Sequence, residues 1–306
     1  FEGNAQAFRL LKKLQYTRDE HSINLSFPVL ATIIKYPHSS TSGNKKDMGV
    51  SYKKFGYFQS EFESFDVIVN SLGMKINNKV RRHPLVFLLE AADDIAYSVA
   101  DIEDGCKKGL ITLEVLKKKM YRYLDSSNPS EYEILSTLEN INVDPNYPQP
   151  LEVIASIFRI KIQNFMIDAS IKAFINNHDK ILSGDFDMDL LDLSEAEGLK
   201  KAFKELGEIL YNCKEVLKLE LTGDKIITVL LEEFTKAITS PKRSRKGSKE
   251  EKLYNLISSN YRFLMEKYSD SENKLYNELR LITDFICGMS DSYAFDLYRS
   301  ITAINI

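Results

Sequence analysis

The sequence is poor in the residues that build disulfide scaffolds, zinc sites and tightly turned sheets. Its 306 residues hold only 3 cysteines, Cys106, Cys213 and Cys287, odd in number and widely scattered. That excludes a disulfide framework or a thiol zinc site and fits a reducing compartment, the cytoplasm. Glycine (13) and proline (8) are sparse, which argues against many short strands joined by tight turns. No charge of one sign dominates: 41 Lys plus Arg against 44 Asp plus Glu leave a net charge of −3. There is thus no global basic field for nucleic acid or an acidic membrane, and any such partner must use a local patch. No apolar run reaches the roughly 20 residues that span a bilayer, and no amino-terminal segment reads as a signal peptide, so no membrane association is expected. An initiating Met is also missing. Phe1-Glu2-Gly3-Asn4-Ala5-Gln6 runs straight into an apolar-periodic stretch, so the expectation is that upstream sequence is not included.

What is present is ordinary globular composition, 43% hydrophobic and 28% charged, long enough for two domains or one large helical one. Apolar residues recur at three and four spacing in nearly every long segment, which predicts an all-α protein. Helices are expected from about Phe8 to Leu14, over Leu25–Tyr36 up to Pro37, and over Phe58–Leu72. Further ones are expected over His83–Asp104, with Pro84 in the first turn, Leu113–Leu124, Ser130–Glu139 and Leu151–Asn176. The last group is Ser194–Leu217, Thr222–Ile238, Glu250–Lys267 and Ser271–Ile304. The Ser, Gly and Lys-rich stretch between His38 and Tyr57 reads as an exposed loop, and the proline-broken run Asp144 to Pro150 as a boundary. Gly184-Asp185-Phe186-Asp187-Met188-Asp189 has the alternating acids of a calcium loop without its twelve-residue spacing or terminal Glu, so it reads as a solvated turn.

The segment from His83 carries the most chemistry. Asp93, Tyr97 and Asp101 stand four apart, line one slowly drifting stripe and can face one cavity together. Burying an unpaired carboxylate is expensive, so such a stripe faces solvent or is held by cations, a metal or hydrogen-bond donors. The apolar residues around it favour the buried alternative, where a hard divalent metal would fit. Asn4 and Gln6 offer amides of the kind that read a base edge or sugar hydroxyl, although Asn4 also suits a plain helix cap. Lys35 and Tyr36 close the second helix; the lysine either complements the helix dipole or meets phosphate oxygens. The basic run Pro241 to Lys249 is a solvated loop or a patch for a second nucleotide or single-stranded DNA.

Taken together, Phe1-Glu2-Gly3-Asn4-Ala5-Gln6, Lys35-Tyr36-Pro37, Arg82-His83-Pro84-Leu85, Glu90-Ala91-Ala92-Asp93-Asp94-Ile95-Ala96-Tyr97-Ser98, Asp101-Ile102-Glu103-Asp104 and the terminal Thr283 to Asp291 segment with Tyr293-Ala294 resemble the deoxyguanosinetriphosphate triphosphohydrolase family of HD-domain metal phosphohydrolases. The resemblance spans the chain. It implies an all-α, HD-domain-like helical bundle with a helical extension, divided into residues 1–145, the remainder of a catalytic core, and residues 146–306, a region packing on it and contributing to a homo-oligomer. It implies hydrolysis of a deoxynucleoside triphosphate, dGTP first, to deoxynucleoside and tripolyphosphate by a metal-activated water, with Mg or Mn as the metal. Asp93 then resembles the last metal aspartate, Tyr97 the residue packed under the deoxyribose and Asp101 the acceptor for its 3′ hydroxyl. Lys35 and Tyr36 resemble phosphate contacts and Asn4 a nucleotide contact; Gln6, Arg262 and Arg280 are weaker candidates. The family's other metal ligands and its catalytic His and Glu have no counterpart here. Of the four histidines, His21, His38, His83 and His178, the only His-Asp doublet, His178-Asp179, comes late in the chain and reads as a solvated helix end. The competing expectation is a non-catalytic helical module that keeps a nucleotide pocket.

Overall fold

The computed structural model describes residues 1–15, 22–43, 45, 48–141, 143–144, 150–268 and 273–303. Among these residues the chain is all-α, with fourteen α-helices and one small hairpin, and no helix is long and apolar enough to cross a membrane. The helices fall into two compact units, one of Phe1–Arg9 with Leu25–Lys214, the other of Leu10–Asn24 with Glu215–Ile306.

The first unit holds α1 (Gly3–Arg9), α2 (Phe27–Ile33), α3 (Phe62–Ser71), α4 (Pro84–Lys107), α5 (Leu113–Tyr123), α6 (Pro129–Asn140), α7 (Pro150–Asn176), α8 (His178–Leu182) and α9 (Glu197–Tyr211). Its core interleaves Ile95, Val99 and Ile102 of α4, Leu116 and Met120 of α5, Phe158, Ile162 and Met166 of α7, and Leu199, Phe203 and Leu206 of α9. These positions repeat at three and four spacing, so each helix turns one continuous apolar face inward. Helices from both sides of the expected 145/146 division share this core; the proline-rich stretch itself, 145–149, lies outside the described residues, as does His21. Two short strands, β1 (Lys75–Ile76) and β2 (Lys79–Val80), pair antiparallel. The periodicity did not predict them. Asn77 and Asn78, with φ of 50° and 60°, make the two-residue turn, a conformation asparagine tolerates better than most residues.

The second unit contains most of α10 (Lys214–Thr239), with α11 (Lys249–Leu256), α12 (Ser259–Tyr268), α13 (Lys274–Cys287) and α14 (Asp291–Thr302). Leu230 and Phe234 of α10 meet Leu253, Leu281, Phe285 and Leu297 in its core.

Several expected helix spans are corrected. The expected break between Leu217 and Thr222 is instead continuous helix, and the chain breaks at Asn212, whose side chain donates to the Glu208 carbonyl (2.7 Å) and ends α9. Glu250–Lys267 divides at Ile257, which leaves helical geometry to place its side chain in the core, 1% exposed. Ser271–Ile304 divides after Gly288, where Ser290 caps α14 by accepting from the Tyr293 amide at 3.3 Å; the ends of that expected span lie outside the described residues. The second expected helix also ends early, at Ile33 rather than Tyr36, leaving Lys35 and Tyr36 in an irregular turn.

Candidate functional site

The chemistry-bearing residues of the first unit gather where α4 passes the turn after α2. His83 caps α4 through its Nδ1, which accepts from the Leu85 amide at 3.3 Å and lies 3.2 Å from Thr32 Oγ1. This fits its reading as a helix-start residue. From that anchored start α4 carries Val86, Phe87, Ala91, Ile95 and Val99 into the interior. The stripe Asp93, Tyr97 and Asp101 is therefore rotated away from the buried face, and the expectation of a buried stripe is corrected: the Tyr97 residue is 68% exposed and the Asp93 side chain 42% exposed. The apolar residues that suggested burial belong to the opposite side of the same helix. Each carboxylate has a hydrogen-bond donor. Lys35 Nζ donates to Asp93 Oδ2 at 2.5 Å, and Tyr211 on α9 donates its hydroxyl to Asp101 Oδ2 at 2.5 Å. That contact raises the Tyr211 phenol pKa, its hydrogen bond to Asp101 being the leading cause.

Beside Lys35, Tyr36 is buried, and burial first, with Glu90 next, pushes its phenol up to about 12. It stays a neutral hydrogen-bonding group. Underneath lies a cation that sequence reasoning did not single out. The Arg82 side chain is only 3% exposed, pairs with Glu90, lies 4.0 Å from Asp187 and packs 4.4 Å from the Phe87 ring centre. Asp187 in turn accepts from the Ser51 amide and hydroxyl, both at 3.0 Å. His38 stacks on Tyr52 with ring centroids 3.6 Å apart, and burial pulls its pKa down to about 4 against the opposing pull of Asp187. On the next face of α4, Asp94 shares Lys200 with Asp189 and Asp192, at 3.9, 2.6 and 2.8 Å. Burial, then the Asp189 charge, raises the Asp94 carboxyl to about 6. The acidic turn is thus not simply solvated: Asp187 and Asp189 tie it to Ser51 and Lys200. No local spacing could have revealed pairs separated by more than a hundred residues, such as Asp187 with Ser51.

The other sequence candidates are dispersed. Asn4 donates from Nδ2 to Glu2 Oε1 at 2.6 Å, a local cap-like contact at the start of α1, and Gln6 is buried. Arg262 and Arg280 belong to the second unit. Arg262 donates to Asn255 at 3.0 Å and lies over the Tyr254 ring; buried Arg280 donates to Asp284 at 3.4 Å. His178 and Asp179 lie exposed on the surface. In the basic run, Arg243 is absorbed by Glu278 and the Ile238 carbonyl, whereas Lys242, Arg245 and Lys246 are exposed.

A metal centre needs several convergent ligands. Among the described residues no group of three or more His, Cys, Asp or Glu could hold a metal ion. Asp93, with an ammonium on its oxygen, is one carboxylate alone. The residues present do not fit a complete metal site.

Comparison with known proteins gives this geometry a context. The phosphohydrolase-associated domain family matches residues 194–300. Over its whole length the chain is 36% identical to a deoxyguanosinetriphosphate triphosphohydrolase-like protein of Listeria monocytogenes, covering 66% of that protein. It is 28% identical to one of Synechocystis, again covering 66% of it. A deoxyguanosinetriphosphate triphosphohydrolase of Yersinia pestis is 27% identical over 99% of the chain, which covers 63% of that enzyme. The chain therefore spans just under two thirds of the length of these curated relatives, and it belongs to the deoxyguanosinetriphosphate triphosphohydrolase-like family.

Proposed function

We propose that the chain forms the nucleotide-facing part of a metal-dependent triphosphohydrolase that cleaves a deoxynucleoside triphosphate, dGTP foremost, to deoxynucleoside and tripolyphosphate. The observation that carries this reading is the meeting of Lys35 with Asp93 at 2.5 Å on the open face of α4, four and eight residues before Tyr97 and Asp101. Lys35 exchanges a carboxylate oxygen for phosphate oxygens as the triphosphate binds, and neutral Tyr36 donates beside it. Tyr97 offers a flat ring for the deoxyribose, excluding the volume of a 2′ hydroxyl. Asp101 keeps lone pairs beyond the one that Tyr211 occupies, enough to accept from the 3′ hydroxyl. Asn4 contacts the nucleotide in this reading, with Gln6 as a weaker candidate. The divalent metal, Mg or Mn, would take Asp93 as one ligand. The rest of its ligands and the catalytic His and Glu are assigned to the third of the relatives' length that this chain does not span.

The lack of a complete metal site among the described residues favours a second reading, a non-catalytic nucleotide-binding module. Product analysis separates the two. With the full-length protein, Asp93→Ala abolishes metal-dependent tripolyphosphate release, whereas Asp101→Ala weakens substrate binding and sugar selection by roughly ten- to hundredfold. Undiminished turnover by the Asp93 variant at limiting metal removes the central assignment; nucleotide binding without any tripolyphosphate from the native protein favours the module. A homo-oligomer, single-stranded DNA or a second nucleotide on the basic loop, and a cytoplasmic location complete the proposal. The free thiols Cys106, Cys213 and Cys287 suit a reducing compartment.

A further inference from the structure

The long helix α7 is apolar on more than the face it buries. One side, with Phe158, Ile162, Met166 and Ala169, enters the core of the first unit. The other carries Ile157, Ile160, Ile167, Ile171 and Ile175, each between 40% and 64% exposed, with Asn164 exposed among them. A solvated helix face has no reason to carry five isoleucines in so short a length. Their order is that of a coiled-coil seam: Ile157, Ile160, Asn164, Ile167 and Ile171 alternate steps of three and four, the a and d positions of successive heptads, while Phe174 at the next d position packs on the first unit's own cluster around Phe87 and Ala91. Ile175 broadens the seam and shares a shallow hollow with Leu193.

We infer that this face of α7 is a homotypic interface, on which α7 of a second copy of the chain packs antiparallel about a two-fold axis between Asn164 and Ile167. Charge selects the occupant and the direction. Lys161 and Asp168 occupy successive e positions, and in an antiparallel pair e faces e′, so each Lys161 meets Asp168 of the other copy and the bridge forms twice. A parallel pair sets these charges against Ser156 and Gln163, with no bridge. Among the described residues Asp168 has no ion-pair partner, and the Lys161 ammonium, which already meets Glu133, has donors to spare. In this register Ile160 faces Ile171, Ile157 packs at the edge of the seam, and the two Asn164 amides fall in adjacent layers across the axis, a polar device that fixes register. The inference supplies a face for the proposed homo-oligomer. Its readouts are mass and cross-linking, so its failure leaves the triphosphohydrolase reading standing, and failure of that reading leaves it untouched.

Sedimentation equilibrium of the protein at micromolar concentration, with circular dichroism to verify folding, tests it. Ile160→Glu and Ile167→Glu halve the assembly mass, raising the dissociation constant by at least roughly a hundredfold. Lys161→Glu or Asp168→Lys alone raises it about tenfold, and the two together restore it. With Cys213→Ser and Cys287→Ser as background, Asn164→Cys is cross-linked between copies by a short bis-maleimide. Ile157→Cys is not, because antiparallel packing holds the two 157 positions about 26 Å apart along the seam. A native protein that is monomeric, a mass unchanged by both glutamate variants, no rescue by the charge exchange, or cross-linking at 157 overturns the inference, the last in favour of a parallel pair.

Discussion

Deleting the Glu90 carboxylate is the severest small change that the structure offers near the site. The Arg82 side chain is 3% exposed and the Glu90 side chain 12% exposed, and among the described residues the other anion beside the guanidinium is Asp187 at 4.0 Å. Nε and Nη1 of Arg82 already lack a hydrogen-bond acceptor among the described residues. Removing one partner of a buried pair costs about 3–5 kcal/mol, because the surviving charge stays in a poor solvent. Asp187 remains and water reaches the vacated edge, so Glu90→Ala is expected at the lower end, about 3 kcal/mol. Glu90→Gln keeps an acceptor and should lose about 1–2 kcal/mol. Arg82→Met combined with Glu90→Leu removes both charges and should recover most of the loss. The assay is urea denaturation followed by circular dichroism, fitted for two transitions because the chain has two compact units. At an m-value of about 2 kcal/mol/M, the transition of the first unit should shift by about 1.5 M in Glu90→Ala. A shift below about 0.3 M, or a double variant less stable than Glu90→Ala, would refute the claim that charge pairing holds this region together.

Other perturbations test neighbouring parts of the site. His38 has its pKa pulled from 6.5 to about 4 by burial; between those values the unfolded chain takes up a proton that the folded chain refuses. Stability should therefore fall as pH drops from about 6.5 to 4, and His38→Phe, which keeps the stack on Tyr52, should flatten that slope in urea midpoints across the window. Gly56→Ala would drive a Cβ into the Tyr36 carbonyl oxygen and to 3.0 Å from Ile34 Cγ2. The backbone must move, so a loss of about 2–3 kcal/mol is expected with weakened nucleotide binding; a thermal midpoint within 1 °C of the parent would contradict it. Lys200→Met removes the cation shared by Asp94, Asp189 and Asp192. Destabilisation of about 1–2 kcal/mol at pH 7, easing at pH 5 as Asp94, whose carboxyl is raised to about 6, takes up a proton, is the expected thermal-melt result.

Much of the helical framework was legible because it is written in local repeats. Apolar residues at three and four spacing mark α4 and α7, and Pro84 and the His83 cap mark where α4 begins. The order of an acid, a phenol and an acid along α4 follows from a 3.6-residue turn alone, as does the family resemblance carried by residues in sequence. Which way that stripe faces was not written there. Ala91, Ile95 and Val99 are claimed by the first unit's core, and the exposure of Tyr97 is decided by which neighbours arrive on each side. Helix ends behaved similarly: Ile257 breaks a helix because its side chain is wanted in a core built from distant segments. The bonds from Lys35 to Asp93, Ser51 to Asp187 and Tyr211 to Asp101 join residues far apart in the chain. Periodicity is a property of a few consecutive turns, whereas desolvation and charge pairing depend on everything that surrounds a group. The sequence by itself therefore determined the helices and the chemical types along them, and only tertiary packing decided which of those groups are buried, paired or left open to a ligand.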